Sequence, residues 1–319
     1  MPFVLDSTCV KLDKPNHEFV GGDVVSGQLR IVFHKPTSCR FIKVTLKGKA
    51  EPGWGGLERI GEFCYVSRSE VAWERKHGHE RISSGLFTYP FSFRLPYHCP
   101  PSFNSNQGII RYYVKVEMLR DGAFDRFTRR EITVTRNVSE QEFRWMEEQL
   151  CPFTRYFMLF SVIGTHVRHV EFLARLSQKI VQPDLNFTID TVFRNNSIRT
   201  IQKISVGLYQ RIEYYTGVHP LHRTVILKIR ESAKYDFRLL SCQIKSFSYS
   251  MKLDKSTVPS FTSEVINVSY FLKFVLHTGA LFSSKIKFPV EIMVAKKKPV
   301  VELEMQEFSI YFGEEVTLP

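Results

Sequence analysis

The sequence Ile-Asn-Val-Ser-Tyr-Phe-Leu-Lys-Phe-Val-Leu, residues 266–276, carries an apolar side chain at every second position from Ile266 to Leu276. Successive side chains of a β-strand point to opposite faces, so this period predicts a strand with one face in a core and the other toward solvent. We expect the buried face to consist of Ile266, Val268, Tyr270, Leu272, Phe274 and Leu276. This longest alternation of the chain therefore indicates a β fold.

Shorter alternations recur along the chain, bounded by Gly, Pro, Asn and Ser residues. Each predicts a core-facing strand, and many short strands of this kind are typical of β-sandwiches. The sets expected to face inward are Val25, Gly27, Leu29, Ile31 and Phe33; Ile42, Val44 and Leu46; Phe91, Phe93 and Leu95; Tyr112, Val114, Val116 and Met118; Phe187, Ile189 and Phe193; Ile204, Val206 and Leu208; Val225, Leu227 and Ile229; and Ile286, Phe288, Val290, Ile292 and Val294.

One segment between these strands has helical spacing. Ser139 is followed three residues later by Glu142, as in a capping box, and Phe143, Met146 and Leu150 then follow at helical intervals. Pro152 is expected to stop the helix. The pattern predicts a short helix in the middle of the chain.

The length of 319 residues exceeds that of one sandwich domain, about 100–150 residues. We therefore predict two domains. The predicted division is an N-terminal β-sandwich at 1–138, a linker with the short helix at 139–152, a C-terminal β-sandwich at 153–298 and a short tail at 299–319.

Targeting signals and cysteine spacing indicate the cellular compartment of the protein. The start of the chain reaches Asp6 too early for the basic and apolar regions of a signal peptide, and the longest apolar stretch, residues 157–163, is far below the roughly 20 residues that span a bilayer. The 6 cysteines show no CxxC spacing. Scattered cysteines of this kind argue against a disulfide framework or a zinc site. We expect a cytoplasmic protein with reduced cysteines and no membrane span.

Motifs for catalysis and for cofactor binding are absent. The chain contains no GxxxxGK[ST], GxSxG or HExxH sequence. Several histidines lie close in sequence but lack nearby Cys or carboxylate partners at ligand spacing. These are His77 with His79, His166 with His169, and His219 with His222. We expect no enzyme activity, no metal and no cofactor.

The charge of the chain is strongly positive, with 44 Lys and Arg against 32 Asp and Glu and a formal charge of +12. Such a balance attracts acidic or phosphorylated peptides and anionic lipid. The basic residues are not interleaved with aromatic residues as in a nucleic-acid reader, so we expect no nucleic-acid partner. Alternation places some of them opposite the core, where they serve either solubility or partner binding. The candidate binding residues are Lys43, Lys47, Lys49, Arg111 and Lys115, and the candidate membrane-contact residues are Lys296, Lys297 and Lys298.

Particular segments of the two halves point to a family. In the first half these are Gly21-Gly22-Asp23-Val24-Val25-Ser26-Gly27; Arg40-Phe41-Ile42-Lys43-Val44-Thr45-Leu46-Lys47-Gly48-Lys49-Ala50 with Trp54; Tyr89-Pro90-Phe91-Ser92-Phe93-Arg94-Leu95-Pro96; Pro100-Pro101-Ser102-Phe103; and Gly108-Ile109-Ile110-Arg111-Tyr112-Tyr113-Val114-Lys115-Val116. In the second half these are Asn195-Asn196-Ser197-Ile198-Arg199-Thr200-Ile201, Ile204-Ser205-Val206-Gly207-Leu208-Tyr209-Gln210, Val258-Pro259-Ser260 and Ile266-Asn267-Val268-Ser269-Tyr270-Phe271-Leu272. Over nearly the whole chain, these segments resemble the arrestin-domain proteins, specifically the α-arrestins.

The resemblance implies an all-β fold of two immunoglobulin-like arrestin β-sandwich domains joined by a short linker. Two features depart from the family. Pro183-Asp184 stands where the family often has a Gly-Glu turn, and the 319 residues contain no PPxY motif of the kind that recruits ubiquitin ligases in many α-arrestins. The first departure predicts an altered or shortened hairpin, and the second predicts that any ligase is recruited without the usual motif.

The function implied by the resemblance is that of a non-enzymatic adaptor. It would bind cytoplasmic tails of membrane receptors or transporters, acidic or phosphorylated ones included, and link them to sorting, endocytosis or ubiquitination at the plasma membrane or endosomes. The modes expected are strand addition at a sheet edge and electrostatic contact on a basic face. The alternative is a constitutive coat subunit, like the arrestin-fold subunit of retromer. An enzyme on a β-sandwich is a third hypothesis, disfavoured by the missing catalytic cluster.

Overall fold

The structure is a computed structural model that describes residues 7–52, 62–78, 80–120, 126–151, 153–160, 168–215, 222–278 and 285–297. Its first half contains β1 (Ser7–Leu12), β2 (Glu18–Val20), β3 (Val24–Phe33), β4 (Cys39–Pro52), β5 (Phe63–Glu74), β6 (Gly85–Arg94), β7 (Phe103–Ser105), β8 (Gly108–Arg120), β9 (Arg126–Thr135), β10 (Asn137–Val138) and α1 (Glu140–Gln149). Its second half contains β11 (Phe153–Phe160), β12 (Arg168–Leu176), β13 (Ile180–Val181), β14 (Asn186–Asn195), β15 (Ile201–Tyr215), β16 (His222–Leu239), β17 (Gln243–Lys252), β18 (Ile266–Thr278), β19 (Lys285–Val294) and β20 (Lys296–Lys297).

The N-terminal domain is built from two sheets. The smaller has the strand order β1-β3-β6, and the larger runs β2-β9-β8-β4-β5 with β7 paired to β8. Inward side chains of both sheets belong to one apolar core, as in a sandwich. The alternation predicted these inward faces correctly, since every residue of the four predicted sets in this half is buried. Trp54 lies outside the described residues.

The C-terminal domain repeats this layout with the orders β11-β12-β14-β17 and β13-β19-β18-β15-β16. Aromatic rings join its two sheets. The ring of Phe172 on β12 stacks on Phe288 of β19 with centroids 4.7 Å apart, and it lies 5.3 Å from Phe274 of β18. The predicted inward sets on β14, β15, β18 and β19 are all buried, which confirms those predictions. The all-β, two-domain fold is therefore as predicted, whereas the domain boundaries stay a prediction.

The prediction for the first part of β16 is wrong. Val225 is half-buried, while Leu227 and Ile229 are 43% and 41% exposed. β16 is the last strand of its sheet, and Nη1 of Arg230 donates a hydrogen bond of 3.0 Å to the carbonyl oxygen of Lys252, the last residue of β17. The residues of β16 before Arg230 therefore extend past the end of β17, so the opposite sheet does not cover them.

Turn and close-contact positions explain two sequence features. A Cβ on Gly27 would lie 2.2 Å from the carbonyl oxygen of Lys11, so only glycine allows β1 to approach β3 here. Asp184 adopts a φ of +69° in the turn between β13 and β14, a left-handed conformation that Asp tolerates better than most residues. The Pro-Asp sequence thus still forms a turn, and Asp184 also pairs with Lys252 at 2.7 Å.

The predicted helix forms and joins the domains. Ser139 caps α1 by accepting a hydrogen bond of 3.1 Å from the backbone N–H of Glu142, as the capping pattern predicts. Phe143 packs in a small apolar cluster with Ile180 and Ala295 of the C-terminal domain. Strand β10 before the helix pairs in parallel with β20. We call β10, α1 and β20 together the interdomain clasp.

A second set of contacts joins the two sandwiches directly. The Tyr65 hydroxyl donates a hydrogen bond of 3.1 Å to Ser263 Oγ, and the Ser105 and Tyr214 hydroxyls lie 2.8 Å apart. Burial raises the pKa of Tyr65 to about 12, so its hydroxyl keeps its proton at neutral pH. We call the contacts Tyr65–Ser263 and Ser105–Tyr214 the interdomain seam. Together with the clasp, this seam holds the two domains in a defined relative position.

Candidate protein-binding surfaces

The structure brings the predicted basic residues of the N-terminal domain together on one sheet face. All of them occupy outward positions of the neighbouring strands β4 and β8, where Lys49 stands opposite Arg111 and Thr45 opposite Lys115. We call this surface the N-domain outer face, defined by Lys43, Lys47, Lys49, Arg111 and Lys115.

Glu62 contacts two of these lysines. Its Oε1 lies 2.7 Å from Nζ of Lys47, its Oε2 lies 3.0 Å from Nζ of Lys49, and Glu51 is a further partner of Lys49. The hydrogen bond between Lys47 and Glu62 raises the pKa of the lysine and lowers the pKa of the carboxyl. Burial by itself would lower the pKa of Lys49, but hydrogen bonds to Glu51 and Glu62 outweigh it and raise that pKa. Since Lys49 is only 9% exposed, it mainly holds the sheet together.

Glu117 contacts two other lysines of the same face. It pairs with Lys43 at 3.5 Å and forms a short hydrogen bond with Lys115. The Lys115 hydrogen bond, with a smaller effect of Lys43, lowers the pKa of Glu117. The N-domain outer face is thus a mixed-charge surface rather than the purely basic stripe that alternation suggested. Pairs of this exposure are individually weak, so an incoming anion can compete for the lysines.

Aromatic and arginine side chains of β9 extend this face. Phe127 is 65% exposed, and its ring centroid lies 5.7 Å from Lys115 Nζ and 5.5 Å from the Arg129 guanidinium. Arg129 also lies 5.1 Å from the ring of Tyr113. Phe127 and Arg129 are not among the predicted binding residues, because no strand was predicted where β9 lies. The alternation of Ile132 with Val134 was the available signal.

The predicted membrane-contact lysines lie beside the clasp. Lys297 Nζ is 3.2 Å from Oε2 of Glu140 and 4.3 Å from the ring centroid of Phe143. Lys296 Nζ donates a hydrogen bond of 2.9 Å to the carbonyl oxygen of Lys255. Lys298 lies outside the described residues. Both described lysines therefore have intramolecular contacts that stabilise the clasp.

In the described part of the chain, no group of three or more His, Cys, Asp or Glu residues has the arrangement of a metal site. His79, His166 and His219 lie outside the described residues. His169 Nε2 lies 2.9 Å from the side-chain nitrogen of Asn196, an ordinary hydrogen-bond distance. Within the same described ranges, no helix has both the length and the apolar character needed to span a bilayer.

An apolar strand edge in the C-terminal domain was not predicted as a surface. Ile226 is 55% exposed on one face of β16, and Leu227 and Ile229 are exposed as well. We call residues 222–229 the β16 edge. The signal was already visible in the run from Val225 to Leu227, since three consecutive apolar residues do not fit a strand with one polar face.

Comparison with known proteins agrees with this architecture. A family model for the arrestin N-terminal domain matches residues 8–141, and a model for the arrestin C-terminal domain matches residues 168–297. The chain is also similar to arrestin domain-containing protein 17 of Caenorhabditis elegans, with 28% identity over 145 residues. That alignment covers 41% of this chain and 34% of the relative, so the chain spans about a third of the relative's length. The two matched domains, in the order and at the places where the two sandwiches lie, show that the chain belongs to the arrestin-domain family and is α-arrestin-like.

Proposed function

We propose that this chain is a non-enzymatic adaptor that binds cytoplasmic parts of membrane receptors or transporters and links them to sorting, endocytosis or ubiquitination machinery. Membership of the arrestin-domain family suggests a trafficking or adaptor role. Linking a membrane cargo to that machinery is the specific part that we propose.

The observation that carries this proposal is the double connection between the domains. The interdomain seam and the clasp hold the sandwiches in one arrangement, while the N-domain outer face is partly exposed and the β16 edge is exposed. Two surfaces on a rigid platform suit an adaptor, because each partner then meets the other in a defined geometry and little ordering entropy is lost.

For the N-domain outer face we propose an acidic or phosphorylated cargo segment. A phosphate group carries more charge than Glu117 and offers three acceptor oxygens, so it competes well for Lys43 and Lys115. Phe127, flanked by Lys115 and Arg129, supplies an apolar contact beside the charges. The proposed location is cytoplasmic, at the plasma membrane or endosomes, with peripheral contact to anionic lipid through Lys296 to Lys298. Within the 319 residues, a ubiquitin ligase would contact a surface other than a PPxY motif.

The test is proximity labelling in cells with the intact tagged chain. The test variant combines Arg111→Gln with Lys115→Gln, and the matched control combines Lys11→Gln with Arg30→Gln on the exposed face of the β1-β3-β6 sheet. Both variants remove two positive charges from the N-terminal domain. Lys49→Glu is avoided because it would place a third carboxylate beside Glu51 and Glu62.

We expect membrane receptors or transporters to be labelled by the wild type and the control, and to be several-fold depleted in the test variant. Equal labelling of such cargo in all three chains would contradict the role of the N-domain outer face. A fixed, stoichiometric set of coat subunits in place of membrane cargo would contradict the adaptor function itself and support the coat-subunit alternative.

A further inference from the structure

The β16 edge is regular strand backbone at the margin of a sheet. From His222 to Lys228 it pairs with Tyr215 to Tyr209 of β15 without a register shift. Among the residues that the structure describes, β16 is the last strand of this sheet. Alternate backbone N–H and C=O groups of a last strand point away from its neighbour, so those of the β16 edge can pair with one further strand.

Apolar side chains lie on both faces of this edge. Ile226 stands opposite Arg211 on the outer face, and Leu227 stands opposite the buried Gln210 on the inner face. A membrane placed against either face would leave the apolar residue of the other face in water, and lipid tails offer no hydrogen-bond partners to the open backbone groups. An added strand pairs with that backbone and carries side chains to both faces. The arrangement therefore favours an extended peptide segment.

Positive charge selects the composition of that segment. Residues 222–230 include Arg223, Lys228 and Arg230 and contain no Asp or Glu. Lys228 is exposed, and no carboxylate among the described residues forms an ion pair with it. Like charges opposite each other destabilise a strand pair, and opposite charges stabilise it. A second copy of this basic edge is therefore disfavoured as the occupant, and a segment that is both apolar and acidic is favoured.

The register of the edge specifies the order of residues in such a segment. Ile226 and Leu227 are adjacent, so the two apolar residues that contact them are adjacent as well. Lys228 follows Leu227, and Arg223 precedes Ile226 by three positions. An antiparallel partner would therefore read acidic-apolar-apolar-any-any-acidic, and a parallel partner would read the same pattern in reverse.

We propose that the β16 edge binds an acidic, apolar segment of a second protein by strand addition, with two adjacent apolar residues on Ile226 and Leu227 and carboxylates near Arg223 and Lys228. This inference deepens the proposed adaptor function and rests on it for the source of the segment, which is a partner other than the cargo on the N-domain outer face. The added strand covers the apolar side chains that the sandwich leaves exposed.

The experiment measures binding of two fluorescent peptides to the full chain by fluorescence anisotropy. Thr-Glu-Val-Val-Thr-Thr-Glu-Thr carries the antiparallel pattern, and Thr-Glu-Thr-Thr-Val-Val-Glu-Thr carries the parallel one. We expect one of them to bind. Replacing both of its Glu residues by Gln weakens its binding about 5-fold, because two cross-strand charge pairs are lost. Salt also weakens the binding of the Glu peptide more than that of the Gln peptide.

Methylation of the peptide backbone distinguishes strand addition from contact through side chains alone. The N–H groups of alternate residues point toward the same side of a strand. Two further forms of the binding peptide are therefore N-methylated at its odd-numbered or at its even-numbered residues. One form loses binding because its donors face the β16 edge, and the other keeps it because its donors face solvent.

Substitutions in the chain locate the site. Lys228→Glu weakens binding of the Glu peptide at least ~5-fold. Arg68→Glu is the matched control and leaves binding unchanged, because Arg68 is an exposed residue of β5, the last strand of the larger sheet in the N-terminal domain. Ile226→Ser removes the apolar contact and also weakens binding. Its control is Val71→Ser, since Val71 is 51% exposed on β5.

Four results would overturn the proposal. The first is that neither peptide binds at up to millimolar concentration. The second is an equal effect of Lys228→Glu and Arg68→Glu, which would indicate general charge attraction. The third is that the two methylated forms bind equally well. The fourth is loss of binding to anionic lipid vesicles in Ile226→Ser but not in Val71→Ser, which would assign the edge to a membrane. Labelling of receptors or transporters in cells does not depend on this assay, so a failure here is distinguishable from a failure of the adaptor function.

Discussion

Strands β5 and β16 occupy the same place in the two domains and have different surfaces. Each follows its neighbour in the larger sheet, β4 or β15, along the chain and ends that sheet in the described part of the molecule. The middle of β5 is polar, with Ser67, Arg68 and Ser69, and its Tyr65 and Trp73 pack against the core. The β16 edge instead exposes consecutive apolar residues and lies in a strand with a marked basic excess.

The position of a strand in its sheet therefore does not by itself assign a role to its edge. Both edges carry unpaired backbone groups, which attract further strands. In β5 the polar middle, which contains Arg68 and is followed by Glu70, makes such pairing unfavourable. The β16 edge combines exposed apolar residues, which favour pairing, with a basic excess, which disfavours pairing with another basic strand. Similar sheets in the two domains therefore support opposite expectations about what binds there.

Strand β16 has a buried part and an exposed part. A substitution in the buried part should have the largest effect on the free energy of unfolding. Phe237 is 2% exposed and contacts Phe193 and Phe247 at 5.2 and 5.9 Å between ring centroids. Phe237→Ala should lower the free energy of unfolding by about 3–5 kcal/mol, because it leaves a core cavity. Chemical denaturation measures this change in the free energy of unfolding. Ile226→Ala is the control and should cost less than about 1 kcal/mol. A similar loss of unfolding free energy for the two variants would contradict the comparison, because it would show that the β16 edge is buried in the core.

The second expected effect concerns the interdomain clasp, which joins the domain that contains β5 to the domain that contains β16. Phe143 of α1 is 5% exposed in the small cluster of the clasp. Phe143→Ala should destabilise the clasp by about 3 kcal/mol, the lower end of the range for such substitutions. Limited proteolysis should then cut residues 139–152 faster than in the wild type, by up to about 100-fold where cleavage follows the population of the open clasp. Trp145→Ala, at a 63% exposed position of the same helix, is the control. Unchanged proteolysis would show that the seam alone joins the domains.

The smallest expected effect is on the pH dependence of stability and concerns Glu62, which lies next to β5. Glu62 precedes β5 and contacts Lys47 and Lys49, and hydrogen bonding to Lys47 lowers its pKa from the ordinary 4.5. A lowered carboxyl pKa contributes stability that is present above about pH 4.5 and is lost as the pH falls through the lower folded-state value. Because these groups are partly exposed, Glu62→Gln should cost less than about 1 kcal/mol at pH 7.

Thermal unfolding at pH 7 and at a pH below the folded-state pKa of Glu62 measures this effect. The difference between Glu62→Gln and the wild type should disappear at the lower pH, since the wild-type carboxyl is then protonated. The exposed Glu148→Gln, on α1, serves as the control with no expected difference. A difference that persists in acid would show that Glu62 acts through packing rather than charge.

Much of the fold was accessible from alternation because most strands bury one complete face. The strand at Ile266–Thr278 shows this clearly, since all six residues predicted inward there are buried. The helix was accessible because Ser139 and Glu142 form a local capping pattern. The binding surfaces were harder to predict from the sequence. Glu62 and Glu117 are not neighbours of Lys47 and Lys43 in sequence, and only the pairing of strands places the opposite charges together.

The β class, the inward faces of most strands, the helix at the domain junction and the likeness to arrestin-domain proteins can all be read from the sequence, because they depend on local periods and short motifs. Only the tertiary structure decided that the outer-face lysines are paired, that α1 and β20 close a clasp and that the β16 edge is exposed. These properties depend on which strand lies beside which and on where the opposite sheet ends. The alternation of Val225, Leu227 and Ile229 is the same whether or not β17 extends far enough to cover them.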